Sequence, residues 1–280
     1  MTVAINFRNG IISIAIALHT LLFLFNYFIH PETFLTADRA KTRLGTVLDF
    51  LSQPLQYEAI AAFLTRKGIP GDYVFQAMIM GIGGQYGLVI FQIILAILAY
   101  VCLYSIAKLF FQRERLAFFV TLIYMLLSHS LAFPHQLITE AIFNPLLIFS
   151  FYFLAKYLFD APSLSNLIAS ACFIGVSALI RPISVLYPFV IFSIFLFYFK
   201  AKNLKNHLSY LVICILPLCI WMMFIFTSTG AIGLGKSRHD HGSNLYTKIK
   251  FLLFYVLYMH ILKLHMLNMV IPKLCIRLKP

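Results

Sequence analysis

Negative charge is scarce in this chain. Nine Asp and Glu stand against 22 Lys and Arg, and charged residues fill only 11% of 280 positions, where a soluble domain carries about 25%. Tryptophan occurs once. The five cysteines, Cys102, Cys172, Cys214, Cys219 and Cys275, show neither metal-ligand spacing nor a disulfide framework. Four of them lie inside apolar runs, where a free thiol behaves as a small hydrophobe. What the chain has instead is apolar bulk: 61% of its residues are hydrophobic, with 29 Phe and a mean hydropathy of +0.90. No soluble core could hide that much apolar surface, which excludes a soluble enzyme, a disordered chain and a secreted disulfide scaffold. The composition implies an all-α polytopic membrane protein. At about 20 residues per crossing, its length allows about eight transmembrane helices.

The net charge of +13 does not imply nucleic acid. The basic residues mostly flank apolar runs, as orientation signals and contacts to anionic membrane lipids do. Because charge is costly at mid-bilayer, the charges act as rulers. Spans are predicted at about 11–29, 86–107, 116–133, 141–159, 167–180, 183–199 and 208–226, with a short, weak eighth at 251–262. The first run is too long for a signal-peptide core and lacks a small-residue cleavage site, so it reads as an anchor. Residues 1–250 form one transmembrane module, and 251–280 a weak last span with a basic tail.

Arg181 is the one charge between residues 161 and 200. With Pro182 it marks the turn of a hairpin. The short loops at 108–115 and 200–207 carry three basic residues each and that at 134–139 carries none, which places the N-terminus in the cytoplasm and Glu140 and Arg181 outside. In the long first outer loop, Leu44, Val47, Leu48, Leu51 and Leu55 recur at helical spacing. With apolar patches at 60–64 and from Tyr73, this predicts amphipathic surface helices.

Asp38, Asp72, Glu140 and Arg181 fall at one membrane level, and ionisable groups gathered there suggest a site. Each also has a plainer reading as a marker of a span end. Glu140 is the sole charge between Arg115 and Lys156, and an acid in the first turn of a helix suits the helix dipole. Arg181 offers the planar donor fork that suits phosphate. His239-Asp240-His241 reads as a solvated loop, because no further ligand stands at a recognisable spacing. His135 and Glu140 form a weak candidate pair for an ion. His19 and His129 read as hydrogen-bonded packing residues. Gly81, Gly83 and Gly84 form a Gly-rich turn before the second span, with no strand to make it a nucleotide fingerprint. No cofactor and no metal is expected from these patterns.

The order of motifs resembles the GT-C superfamily of membrane glycosyltransferases, in particular its bacterial ArnT-like and protein-mannosyltransferase-like branch. Thr36-Ala37-Asp38-Arg39 matches an early outer-loop Asp. Pro70-Gly71-Asp72-Tyr73-Val74-Phe75-Gln76-Ala77 is similar to the family's G-Y-P-x-F-x-A surface helix. Gly84 and Phe91-Gln92 follow. Thr139-Glu140-Ala141-Ile142-Phe143 resembles T-E-P-L-F, and Ala178-Leu179-Ile180-Arg181-Pro182 resembles A-L-x-R-P. The resemblance implies a sugar donor linked to polyprenyl phosphate, used at the outer face of a bacterial-type plasma membrane. It makes Asp38 the catalytic base and Arg39, Lys41 and Arg181 partners of the phosphate. Asp72 and Glu140 would then position hydroxyls. The family often has an aromatic shortly after the Asp, where this chain reads Arg39-Ala40-Lys41-Thr42, and Asp49 is a spare. The family also usually has more spans and often a C-terminal outer domain, so an inactive truncated glycosyltransferase is one alternative. A transporter or lipid flippase without catalysis is another, although transporters carry ionisable groups near the midplane on broken helices and here the charges sit at span ends.

Overall fold

The structure, a computed structural model, describes residues 7–29, 38–52, 71–160, 162–199 and 204–229. Among them all regular structure is helical. Helix α1 is Phe7–Phe28, α2 Asp38–Leu51, α3 Gly71–Phe111, α4 Glu114–Leu126 and α5 Ser128–Ala132. Helices α6 Glu140–Phe159, α7 Leu164–Ile180, α8 Leu186–Phe199 and α9 Leu204–Thr229 follow, with 3₁₀ turns at Phe133–His135 and Pro182–Val185. The predicted eighth span, the 251–280 tail, the patch at 60–64 and His239-Asp240-His241 lie outside the described residues.

Among the described residues, four helices are long and apolar enough to cross a membrane: α1, α3, α6 and α9. They become five if α4 and the segment from Ser128 to His135, bent by 70°, form one broken crossing. The all-helical membrane architecture stands, and seven of the eight predicted spans fall on described residues. The predicted fifth and sixth spans exist as apolar helices, but Leu164–Ile180 and Ile183–Leu196 are shorter pieces. Charges mark where apolar segments end without fixing how much of each is continuous helix.

Packing between helices is carried by stripes of small residues. Helix α1 buries Ile11, Ala15 and His19, a four-residue repeat on one face, against Ala96, Tyr100, Ala117 and Met125. Its other faces stay exposed, as at Leu21 and Phe28, which suits lipid. Helix α7 buries Ser170, Ala171, Ile174, Gly175 and Ala178 and fits closely between α6 and α9. The Ser150 hydroxyl donates to the Ser170 carbonyl at 2.9 Å, and a Cβ on Gly175 would stand 3.1 Å from the Cys214 carbonyl oxygen. In lipid such contacts gain dispersion and hydrogen bonding rather than release of water.

Helix α3 runs 41 residues, but Gly84 breaks it with φ 64°, ψ −165°, a backbone essentially reserved for glycine. The 27 residues after it make about 40 Å of helix, ample for a bilayer. The arm before it packs Ala77 and Met80 against Val47 of α2 and against Leu137. Of the Gly-rich turn expected before this span, Gly84 alone departs from the helix.

Ring contacts sort the helix ends into two faces. Phe7 meets Phe118 at 5.6 Å, Phe110 meets Phe159 at 5.0 Å and Phe195 meets His207 at 4.4 Å at one end. Arg8, Lys108, Arg113, Arg115, Lys156 and Lys205 belong to that end, where Lys108 pairs with Glu114. The opposite face holds the Tyr27–Tyr86 contact at 5.4 Å, the start of α6 and the end of α7.

Candidate functional site

Helix α6 begins at Glu140, and α7 ends at Ile180 with Arg181 as its extended C-cap. Antiparallel packing therefore brings an acid at a helix N-terminus to a base at a helix C-terminus, each where the backbone dipoles favour it. The Arg181 Nη2 donates to Glu140 Oε1 at 2.6 Å, across 41 positions of sequence. The Thr139 hydroxyl donates to Glu140 Oε2 at 2.9 Å, so both carboxylate oxygens are engaged. The guanidinium also lies over the Phe143 ring at 5.5 Å, a contact of about 0.5–2 kcal/mol. The pair is partly open, with side-chain exposures of 38% for Arg181 and 22% for Glu140. That exposure limits its net contribution to stability to about 1 kcal/mol.

Three of the motifs converge beneath this pair. Ile142 and Phe143 of the Thr-Glu-Ala-Ile-Phe run, Ile180 of the Ala-Leu-Ile-Arg-Pro run and Phe75 of the surface helix form one apolar cluster. Gly71 rests on Leu179, and Trp221 packs on Val74, Leu179 and Phe50. The start of α3, the end of α7 and the end of α2 thus meet on the Arg181 side. For Asp38, Arg39, Lys41 and Asp72 the structure describes the backbone alone. Asp38, Arg39 and Lys41 begin α2, and Asp72 follows Gly71 at the start of α3.

A second polar network lies alongside. With its amide nitrogen assigned to the side that faces them, buried Gln92 donates to the carbonyls of Pro134 at 3.0 Å and Gln136 at 3.2 Å, fastening the turn that precedes Glu140. His19 Nδ1 meets His135 Nε2 at 3.0 Å, and His19 Nε2 meets the Tyr100 hydroxyl at 3.3 Å. Tyr100 gives its one proton to the Ser130 carbonyl at 2.9 Å. His19 Nε2–H must then donate to Tyr100, which leaves Nδ1 bare to accept from His135 Nε2–H. His19 is thus a hydrogen-bonded packing residue, as expected. The structure turns His135 toward His19 and Glu140 toward Arg181, in place of the ion shared between His135 and Glu140. Tyr100, Ser130, Glu140 and Asn144 line a cavity of about 20 Å³, room for a single water. Among the described residues no three His, Cys, Asp or Glu side chains gather as a metal site would need.

Thr139, Gln92 and Phe143 stand in the sequence only as motif positions without a role, and neither Trp221 nor the partner of His19 is marked there. Gln92, a polar residue inside a long apolar run, carried the one legible signal.

Apolar helices long enough to cross a bilayer, with an ion pair held at one face, define an integral membrane protein. The family profile described as dolichyl-phosphate-mannose-protein mannosyltransferase matches residues 70–225, more than half of the chain. The chain belongs to that family, and the matched region contains Asp72, Glu140, Arg181 and the cluster beneath them. No curated protein and no solved structure matches the chain.

Proposed function

We propose that this protein transfers a sugar from a polyprenyl-phosphate-linked donor to a lipid, glycan or protein acceptor at the outer face of a bacterial-type plasma membrane. The observation that carries the reading is the Glu140–Arg181 pair, at 2.6 Å, on one face of a chain whose family is described as dolichyl-phosphate-mannose-protein mannosyltransferase. The short loops of the opposite face carry Lys108, Arg113, Arg115 and Lys205, so by the positive-inside rule the pair faces outward and the N-terminus inward.

In this reading the Asp38 carboxylate takes the proton of the acceptor hydroxyl. The freed oxygen attacks the anomeric carbon, and the bond from that carbon to the phosphate oxygen breaks. The electron pair leaves with polyprenyl phosphate, and the proton on Asp38 passes to solvent. Arg181, Arg39 and Lys41 stabilise the charge that develops on the phosphate. Asp72 binds a sugar or acceptor hydroxyl. Glu140, paired with Arg181 in the structure, likewise positions a sugar or acceptor hydroxyl once the donor phosphate has taken Arg181.

The test supplies purified full-length protein in nanodiscs with polyprenyl phosphate carrying radiolabelled mannose or other sugars. The reading expects label to move to an acceptor with release of one polyprenyl phosphate per sugar. Absence of transfer from every lipid-linked donor, with flux of a labelled lipid sugar across the membrane of sealed proteoliposomes instead, would replace it with the transport alternative.

A further inference from the structure

We propose that the Glu140 carboxylate is a placeholder on Arg181, displaced when the phosphodiester of a lipid-linked donor binds there. The inference rests on the transferase reading and deepens it by naming what occupies the Arg181 fork before the donor arrives. A carboxylate and a phosphodiester each offer two oxygens to the same planar donors. Glu140 uses one of its oxygens on Arg181, at Nη2.

Arg181 does not depend on Glu140 for its position. Its backbone N–H donates to the Ser177 carbonyl at 2.9 Å. Its own carbonyl accepts from the Ser184 N–H at 3.0 Å and from the Ser184 hydroxyl at 2.7 Å. Its guanidinium is supported by the Phe143 ring. Glu140 in turn has somewhere to go: the Thr139 hydroxyl holds its other oxygen, and the N-terminus of α6 stabilises its charge. The pair is open enough, at 38% and 22% exposure, for an incoming anion to reach it.

Full-length protein in nanodiscs is tested for retention of a radiolabelled polyprenyl methyl phosphodiester, with neutral polyprenol and inorganic phosphate as competitors. Wild type should retain the phosphodiester and surrender it to excess unlabelled phosphodiester, not to polyprenol. Glu140→Gln removes the competing charge and should bind the phosphodiester about three- to tenfold tighter, with inorganic phosphate competing more strongly than in wild type. Equal or weaker binding by Glu140→Gln overturns the proposal. The charge-swapped variant Glu140→Arg/Arg181→Glu, with the emission of the single Trp221 as the check on its fold, should not retain the phosphodiester. Wild-type retention by the swapped protein also overturns it. Arg181→Gln separates the two levels of the argument. If it still prefers the phosphodiester to polyprenol, the assignment of phosphate to Arg181 fails, and with it this part of the transferase reading.

Discussion

Gly71 and Leu179 meet backbone to backbone. A Cβ at Gly71 would stand 2.5 Å from the Leu179 carbonyl oxygen and 2.7 Å from its carbon, closer than side-chain atoms come to backbone. Glycine alone lets the start of α3 rest on the end of α7, two residues from Arg181 and next to Asp72. The contact sets how near the backbones of these two polar positions stand.

Gly71→Ala is therefore expected to destabilise the fold by about 1–3 kcal/mol, the usual cost of overpacking. Gly83→Ala is the control, since nothing lies within 4 Å of a Cβ there, and it should stay within about 0.5 kcal/mol of wild type. Equilibrium unfolding in mixed detergent micelles measures both. Equal stability of the two variants would contradict the close approach.

Gly84 makes a different demand. It also has open space around it, but its φ of 64° with ψ of −165° is a conformation that L side chains avoid. Gly84→Ala should cost about 1–3 kcal/mol with no steric clash to explain it, read in the same unfolding measurement. A neutral Gly84→Ala would mean that the two arms of α3 continue as one helix.

The His19–His135 contact predicts coupling across 116 positions of sequence. His19→Phe leaves the buried His135 Nε2–H without its acceptor, a loss of about 1–3 kcal/mol. Adding His135→Phe removes the stranded group, so the double variant should cost less than the sum of the singles by about 0.5–3 kcal/mol. Strict additivity in unfolding free energies would break the network apart.

Trp221 is the single tryptophan, so its fluorescence reports one place. It is 7% exposed and stacks on Phe224 at 5.2 Å, enclosed by α2, α3 and α7. Its emission should be blue-shifted and resistant to acrylamide in nanodiscs, and Leu179→Ala should raise its quenching. Free quenching in wild type would remove the junction on which the start of α3 and the end of α7 meet.

Parts of this arrangement were legible in the sequence because charge inside an apolar run is expensive and therefore conspicuous. Glu140 and Arg181 stand alone between long uncharged stretches, and the basic short loops on the other side of the spans put both at one face. Their pairing was not legible. It depends on the rotation of α6 and α7 about their axes, which the small residues Ser170, Ala171, Gly175 and Ala178 set through contacts with neighbours far away in sequence. The same limit hid the partner of His19 and the role of Gln92. The hairpin at Arg181 was read from one charge and one proline. The lengths of the helices on either side were not, because the polar residues that end a helix need not be charged. Of three clustered glycines, Gly84 alone breaks α3. The pattern announced a break without choosing its residue, since glycine is tolerated within a helix and only required where φ is positive.

The account stands most directly on the transfer reaction itself, followed as release of polyprenyl phosphate from a radiolabelled lipid-linked sugar by wild type, Asp38→Asn and Arg181→Gln. It predicts that Asp38→Asn lowers kcat by about 10²–10⁴-fold, the range for loss of a general base, with little change in KM. Arg181→Gln should raise KM for the donor. Equal turnover by wild type and Asp38→Asn would contradict it.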